Sequence, residues 1–328
     1  MARRLLIRMT EMYKHHQRTP IRNTIITLFA IGFFIVGPLW LANWQIKQSF
    51  VPYSPIKHVD IIHLQEGKST IKLLAAYGFD LRKIRQKKSG VPALYFANLP
   101  RELTKLKDTR EKKRLFLSAL LPPILKVNNI ITQDRQRLKK IILKLTLGEN
   151  ATEAEYYWVT QKLVYYKIKV NDVQDFMDRM DVILDELLSR MNVIPPQLAL
   201  AQAAQESGWG TSRFSQKGNA LYGEWIWGNG CGMVPRQREP GKKHRMKCFP
   251  TIIEAVSSYI HNLNTHRAYQ ELRQVRRRFR DDQSMDVNAL VETMTQYSQE
   301  RDHYVTKIKN IIRVNRLNDF RRAYLQPV

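Results

Sequence analysis

One glutamate in the chain is placed as a catalytic acid would be. Glu206 follows the small-residue stretch "LALAQAAQ" and precedes Ser207 and a tryptophan, Trp209, that lies between two glycines. A carboxylate at the C-terminal end of a helix faces the negative end of the helix dipole, and apolar neighbours also disfavour its charged form. We therefore expect the pKa of Glu206 to be raised and its carboxyl to act as a proton donor, as the cleavage of a glycosidic bond requires.

The segment after Glu206 has the composition of a binding groove. From residue 219 to 249 the helical periodicity is lost and Gly, Pro, aromatic and basic residues dominate, which predicts a small β-lobe with turns at "GNGCG" and "EPGKK". Asn219 could bond an N-acetyl group or could serve as a turn residue. Four aromatic residues could stack on sugar rings or could pack against their own neighbours: Trp209, Tyr222, Trp225 and Trp227.

A second carboxylate would act as the base or nucleophile of such a reaction. Glu254 is better explained as a helix cap, because it stands three residues after Thr251. Glu224 lies beside the aromatic cluster, and Glu239 lies in a turn that could bring it over the scissile bond. We favour Glu239, although an acid in a loop can equally be solvated and inert.

The two cysteines of the chain, Cys231 and Cys248, both fall in this segment. In an oxidising compartment they could form a disulfide, and the alternative is two free thiols. His261 and His266 are five positions apart, so they do not share a helix face as paired metal ligands would. We predict neither a metal ion nor a cofactor.

The elements that must position Glu206 are mainly helical. Pro195 and Pro196 open its helix, and leucine and alanine on nearly every side predict that this helix is buried at the centre of its domain. Helices resume at Thr251, and two more follow toward the C-terminus. The order of helices, a short β excursion and helices again predicts an α+β fold that is mainly α.

Three further patterns concern the surrounding helices. A capped start at Asp108 opens a helix that Pro122 and Pro123 should kink or interrupt. Apolar residues at three-and-four spacing predict one long helix over residues 173 to 191, with a buried stripe. The run "RQVRRRFR" at residues 273 to 280 could contact phosphates, but its apolar residues favour a solvated basic face and no nucleic-acid partner.

The N-terminal residues have the pattern of a membrane anchor. Residues 24 to 44 carry no charge and are long enough to cross a hydrocarbon core of roughly 30 Å. The basic residues 1 to 23 should stay in the cytoplasm, with the anchor at residues 24 to 46; a cleaved signal peptide is the alternative. A linker region at 47 to 107, a helical region at 108 to 194 and a catalytic domain at 195 to 320 should follow. The net charge of +25 favours an acidic polymer or anionic lipid as partner.

Four segments in this order resemble the glucosaminidase domain of glycoside hydrolase family 73, and in particular its Bax-type bacterial members. They are "LALAQAAQESGWGTSRF", "GNALYGEW", "YIHNLNTHRAYQELR" and "YSQERDHYVTKIKNIIR", which together span about residues 198 to 317. The stretch "LFLSALLPPILKVNN" is also similar to the region ahead of the domain in Bax-type proteins, and it extends the resemblance toward Leu115.

The resemblance implies a lysozyme-like fold and hydrolysis of the β-1,4 bond after N-acetylglucosamine in the glycan strands of peptidoglycan. Its general acid falls on Glu206 and its functional tyrosine on Tyr297. Its second carboxylate lies in a β-lobe of variable length, so no residue here matches it. With the anchor, it implies a single-pass protein of the bacterial inner membrane whose catalytic domain is periplasmic. A lytic transglycosylase and a catalytically weak wall-binding or scaffold protein are the alternatives.

Overall fold

The computed structural model describes residues 56, 59–236, 238, 241–279, 285–297 and 302–327. The anchor expected over residues 24 to 46 and the basic segment before it lie outside the described residues, as does Glu239. The chain divides into two compact units. The larger unit comprises Tyr53–Lys169 and Asp178–Val328, and it contains every element that bears on the candidate site.

The described residues up to 107 are structured, so the expected linker is wrong for this part. Their elements are, in chain order, strand β1 (Ile61–Ile62), helix α1 (Thr70–Ala76), helix α2 (Leu81–Arg85) and strand β2 (Tyr95–Phe96), with β1 and β2 paired in parallel. Glu102 accepts hydrogen bonds from the main-chain N–H and the hydroxyl of Thr70, each at 2.6 Å. Leu99 and Leu103 are buried. The segment was missed because its elements are too short to show periodicity.

Helices α3 (Thr109–Thr146) and α4 (Glu153–Tyr165) follow. Asp108 caps α3 by accepting from the Arg110 N–H at 2.8 Å. Of the predicted kink or interruption at Pro122 and Pro123, the interruption does not occur, because α3 continues through both prolines. Residues on both sides of the prolines are fully buried, and this packing outweighs the hydrogen bonds that proline removes.

Helix α3 is the one described helix that is long and apolar enough to cross a membrane, and 78% of its most apolar stretch is buried inside the protein. That burial is typical of the core helix of a folded domain.

The helix predicted over residues 173 to 191 is divided at Arg179 into α5 (Val173–Asp178) and α6 (Met180–Arg190). The backbone of Arg179 has φ −121°, which is not helical. Within α6 the expected apolar stripe is buried, as Ile183, Leu184 and Leu187 show. Most of α5 lies in the smaller compact unit.

The helix that carries Glu206 is α7 (Pro196–Ser207), followed by the short helix α8 (Arg213–Gly218). The residue before α7 is Pro195 and its first helical residue is Pro196, as the sequence predicts. The missing N–H of a proline is harmless there, because the first N–H groups of a helix have no partner inside it.

The predicted β-lobe is a three-stranded antiparallel sheet. Its strands are β3 (Trp225–Ile226), β4 (Gly232–Met233) and β5 (Arg245–Lys247), with β5 in the middle. The lobe leads into helices α9 (Ile252–Thr265), α10 (Gln270–Arg277), α11 (Val287–Glu292) and α12 (Asp302–Val314). The fold is therefore α+β and mainly α, which confirms the prediction.

Helix α7 lies at the centre of the larger unit, where it packs against α3, α11 and α12. Two arginines of the basic run, Arg273 and Arg276, support this core, whereas Arg277 and Arg278 are exposed as expected. Arg273 is 5% exposed and Arg276 is 1% exposed. The Arg276 guanidinium donates to the Asn264 side-chain oxygen at 2.7 Å and to the Ser189 carbonyl at 2.8 Å. Long apolar stems let both arginines reach carbonyls that would otherwise be buried without partners.

Candidate active site

Glu206 occupies the last turn of α7, where the sequence places it. The four residues Leu198 to Ala201 are completely buried, whereas the side chain of Glu206 is half-buried. Gly208 ends the helix in the left-handed conformation, with φ 59°. The carboxyl group thus lies where a rigid helix meets a change of chain direction.

Trp209 lies against helix α3. Its indole meets the Phe116 ring edge-on at a centroid distance of 5.5 Å, and the Lys113 ammonium lies 4.7 Å from the indole centroid. Gly210 follows in a left-handed conformation, and a Cβ atom there would stand 2.9 Å from the Leu103 side chain. The Gly-Trp-Gly sequence therefore allows close packing on α3 and on the segment before it.

The β-lobe begins in contact with the acid. A Cβ atom built on Gly223 would lie 3.1 Å from the Glu206 Oε2 atom, and Gly223 has φ +67°. Glycine is suited to both conditions, the close approach and the left-handed backbone. Gly223 could not be selected from the sequence, because its approach to Glu206 joins two segments that are separated along the chain.

Four tyrosines lie close enough to Glu206 for its charge to act on their phenols: the buried Tyr259, Tyr269 and Tyr304, and the half-buried Tyr297. Burial raises the pKa of each phenol, to about 12 for Tyr269, and the negative charge of Glu206 raises each pKa further. A hydrogen bond to Glu206 adds to the raised pKa of Tyr304. These phenols therefore remain protonated and can act as hydrogen-bond donors at neutral pH.

Tyr297, the tyrosine that the resemblance selects, bonds to the main chain beside the acid. Its hydroxyl donates to the Tyr222 carbonyl at 2.8 Å, and its ring stacks on Tyr304 at a centroid distance of 5.3 Å. Tyr297 thus holds the residue that precedes Gly223. The tyrosine hydrogen-bonded to the Glu206 carboxyl is Tyr304, to which the sequence analysis assigned no role in the site.

Tyr222 and Asn219 lie inside the protein. Tyr222 is 3% exposed and stacks on Tyr259 at 3.8 Å between centroids. Asn219 is 1% exposed and has φ 50°, and its amide donates to the carbonyls of Ala97 at 3.0 Å and Phe249 at 3.1 Å. For Asn219 this geometry favours the turn role over a contact with substrate.

Trp225 and Trp227 are the aromatic residues of the lobe that solvent can reach. Trp225 is 43% exposed and Trp227 is 69% exposed. The Trp225 ring meets the His244 ring edge-on, 4.7 Å between centroids. Exposed indoles on a small lobe next to an acid provide flat apolar surfaces to which a sugar ring could stack.

Glu224 is a buried carboxylate that fastens the lobe to α9. Its Oε2 accepts from the Ser258 hydroxyl at 2.8 Å and lies 3.5 Å from the Lys247 ammonium. Burial raises the pKa of Glu224, against the opposing effect of Lys247. Because its Oε1 is also buried, Glu224 is poorly placed to activate a water molecule.

The two cysteines form a disulfide, Cys231–Cys248, with 5.3 Å between their Cα atoms. The Cys248 N–H also donates to the Cys231 carbonyl at 3.2 Å. These bonds join the start of β4 to the residue that follows β5. Within the described part of the chain, no cluster of three or more His, Cys, Asp or Glu side chains could hold a metal ion.

The chain matches known proteins over the same region. The model of the family described as mannosyl-glycoprotein endo-beta-N-acetylglucosaminidase matches residues 183–317. Protein bax of Escherichia coli (strain K12) is 31% identical over 209 residues, which cover 63% of this chain and 71% of that protein. No solved structure matches the chain significantly.

The matched residues contain the whole site, from α6 through the lobe to α12. A domain of this kind supports a glycosidase activity on a glycan. The chain belongs to the glucosaminidase family of glycoside hydrolase family 73, and within it to the Bax-type proteins.

Proposed function

We propose that the protein is a membrane-anchored peptidoglycan hydrolase that cleaves the β-1,4 bond after N-acetylglucosamine, with Glu206 as general acid. The observation that carries the proposal is the setting of the Glu206 carboxyl. It projects from the end of a buried helix, contacts Gly223 at the start of the lobe and is bonded to Tyr304. A proton donor fixed in this way stands next to exposed indoles that can bind a glycan.

In the proposed reaction, Glu206 gives its proton to the glycosidic oxygen as the bond from that oxygen to the anomeric carbon breaks. The sugar passes through an oxocarbenium-like transition state, and water then adds at the anomeric carbon. Glu239 is our proposed base for that water. Tyr297 supports the acid by holding the Tyr222 carbonyl, and Trp225 and Trp227 bind the sugar rings.

The test uses the full chain, purified in detergent, and insoluble peptidoglycan as substrate. The wild-type protein should release reducing ends, and Glu206→Gln should lower the rate by a factor of about 10³ or more because the amide cannot donate the proton. Glu254→Gln is the matched control, since the Glu254 carboxyl accepts hydrogen bonds from Thr251 in the cap of α9, a role that glutamine can also serve. Equal activity of Glu206→Gln and the wild type would refute the assignment.

A lytic transglycosylase is the second candidate, and the burial of Glu224 favours it. Such an enzyme needs one acid and no base for water, and the Oε1 atom of Glu224 is buried. Mass spectrometry of the products separates the two reactions. Reducing ends that carry the mass of one water support hydrolysis, whereas anhydro ends support the transglycosylase.

The location of the catalytic domain in the periplasm is also proposed. The uncharged residues 24 to 44 support an anchor, and the disulfide suits an oxidising compartment. Protease added to spheroplasts should digest the catalytic domain and leave a short membrane-bound fragment. Protection of the whole chain would contradict this topology.

A further inference from the structure

Three buried side chains form a line of hydrogen bonds that leads to Glu206. The Tyr259 hydroxyl donates to the Gln202 Oε1 atom at 2.6 Å, and the Gln202 Nε2 atom donates to the Tyr304 oxygen at 2.9 Å. Tyr304 in turn is hydrogen-bonded to the Glu206 carboxyl. None of the three side chains is more than 2% exposed. The line joins α9, α7 and α12.

The donor and the acceptor of each hydrogen bond in this line follow from the Glu206 carboxylate at its end. An ionised carboxylate only accepts hydrogen bonds, so the Tyr304 hydroxyl must donate to Glu206. That hydroxyl has one hydrogen, and its oxygen is then left to accept from the Gln202 amide nitrogen. The carbonyl oxygen of Gln202 consequently faces Tyr259, which donates to it. The opposite orientation of the amide would require Tyr304 to donate its single hydrogen twice.

Gln202 stands one helical turn before Glu206, on the same face of α7. The helix is otherwise built of small and apolar residues at this level, and burial of an amide there costs free energy unless both of its ends are bonded. Gln202 meets this condition with one phenol at each end. A purely apolar core would have needed only a leucine at this position.

We propose that Tyr304 is a positioning residue for Glu206: its oxygen accepts from the Gln202 amide nitrogen, and this bond fixes its hydroxyl as a donor to one carboxyl oxygen. That oxygen stays an acceptor when Glu206 is protonated, so the transferable proton is held on the other oxygen. Gly223 leaves room for the same carboxyl, because a Cβ atom built there would lie 3.1 Å from Oε2. The proposal rests on the proposed role of Glu206 as general acid.

The consequence concerns alignment of the proton with the leaving oxygen. A carboxylic acid can carry its proton on either oxygen and can rotate about its last bond, and most of these arrangements are unproductive. With Tyr304 on one oxygen, a single arrangement is favoured before the glycan binds. Loss of this donor should lower kcat and leave KM unchanged, since Tyr304 lies below the surface that the glycan would touch.

The test compares two Tyr→Phe variants of the full chain on peptidoglycan. Tyr304→Phe removes the donor to Glu206 and leaves the Gln202 Nε2 atom without a partner. Tyr259→Phe, the matched control, removes one hydroxyl from the other end of the same amide. Both variants should lose similar thermal stability, because each leaves one buried amide atom unpaired.

We expect Tyr304→Phe to lower kcat by about 10²-fold with KM within about twofold, and Tyr259→Phe to keep kcat within about threefold of the wild type. If the two variants lose kcat equally, and in proportion to the decrease in their melting temperatures, the role of Tyr304 is merely structural and the proposal is overturned. Glu206→Gln is assayed alongside. If Glu206→Gln is fully active, the proposed function itself fails. If Glu206→Gln is inactive while Tyr304→Phe and Tyr259→Phe have equal kcat values, only the positioning role of Tyr304 fails.

Discussion

Helices α7, α9 and α12 form a helical wall beside Glu206, with buried phenols and an amide. The β-lobe that begins beside Glu206 presents exposed indoles instead. In the helical wall, the buried amide of Gln202 is hydrogen-bonded at both ends, to Tyr259 and to Tyr304. In the lobe, Trp227 is 69% exposed. Under the proposed function, this difference separates two tasks: the helical wall orients the acid, and the exposed lobe binds the polymer.

The two regions are also stabilised differently. The helical wall is part of the central core and depends on burial and on satisfied polar groups. The lobe has three strands of two or three residues each, which is too little to be stable alone, and the disulfide and the Glu224 contact with α9 hold it in place. Perturbation of the wall should therefore reduce kcat, and perturbation of the lobe should raise KM.

Among the changes that test this division, the largest effect should come from Gly223→Ala, at the junction of the two regions. The new methyl group would stand 3.1 Å from the Glu206 Oε2 atom, so the carboxyl must move, and we expect kcat to fall by about 10²-fold. Gly78→Ala is the matched control, because Gly78 also has φ +67° but has open space around its Cβ position. Steady-state kinetics of both variants measure the effect. A similar loss of activity in both would assign it to backbone strain instead of displacement of the acid.

Reduction of the Cys231–Cys248 disulfide should act on the lobe alone. Loss of this link frees the start of β4 from the end of β5, and we expect KM for peptidoglycan to rise about tenfold while kcat changes less. The measurement is kinetics with and without dithiothreitol. A variant with both cysteines replaced by serine should have the raised KM and no response to the reductant. A fall in kcat at constant KM would contradict the expectation that changes in the lobe act on KM and changes in the helical wall act on kcat.

Trp227→Ala should weaken glycan binding without unfolding the lobe. Removal of an exposed indole should raise KM by about fivefold and change the free energy of unfolding by less than about 0.5 kcal/mol. Trp227→Phe keeps an aromatic face and should retain most of the affinity. Binding to insoluble peptidoglycan, measured by sedimentation, gives the result directly. Unchanged sedimentation of Trp227→Ala would remove Trp227 from the proposed groove.

The smallest expected effect is on the pH dependence of the free energy of unfolding. Burial lowers the pKa of His261 below its usual 6.5, and its Nε2 lies 2.7 Å from the Tyr165 carbonyl oxygen. As pH falls below about 6.5, the unfolded chain gains this proton first, so the free energy of unfolding decreases. Urea titrations between pH 5 and 8 should show a weaker pH dependence for His261→Gln than for the wild type. Identical slopes would mean that His261 does not contribute.

Much of the site could be predicted because its signals are local. The helix end at Glu206, the proline start at Pro196 and the cap at Thr251 each depend on a few neighbouring residues, and all three positions are confirmed as helix features. The lobe was recognised from its loss of helical periodicity. The role of Tyr304 was missed because Gln202 and Tyr304 are 102 positions apart, and their contact depends on how α7 and α12 pack.

Other expectations failed because tertiary packing outweighed local preference. Helix α3 continues through Pro122 and Pro123 since its neighbours bury it on both sides of the prolines. Arg276 was expected on a solvated face, yet it donates to buried oxygens on Ser189 and Asn264. One available signal was overlooked: a glutamine one turn before a candidate acid, on a helix of small apolar residues, must find partners when buried.

The sequence by itself determined that Glu206 ends a buried helix, that a Gly-rich aromatic lobe follows, and that the chain resembles a glucosaminidase. These properties depend on periodicity, caps and composition, which are encoded within short segments. Only the tertiary structure decided which groups touch the acid. Gly223, Tyr304 and the buried phenols around them come from separate elements, and hydrogen bonds and close contacts between such elements exist only once the helices have packed around α7.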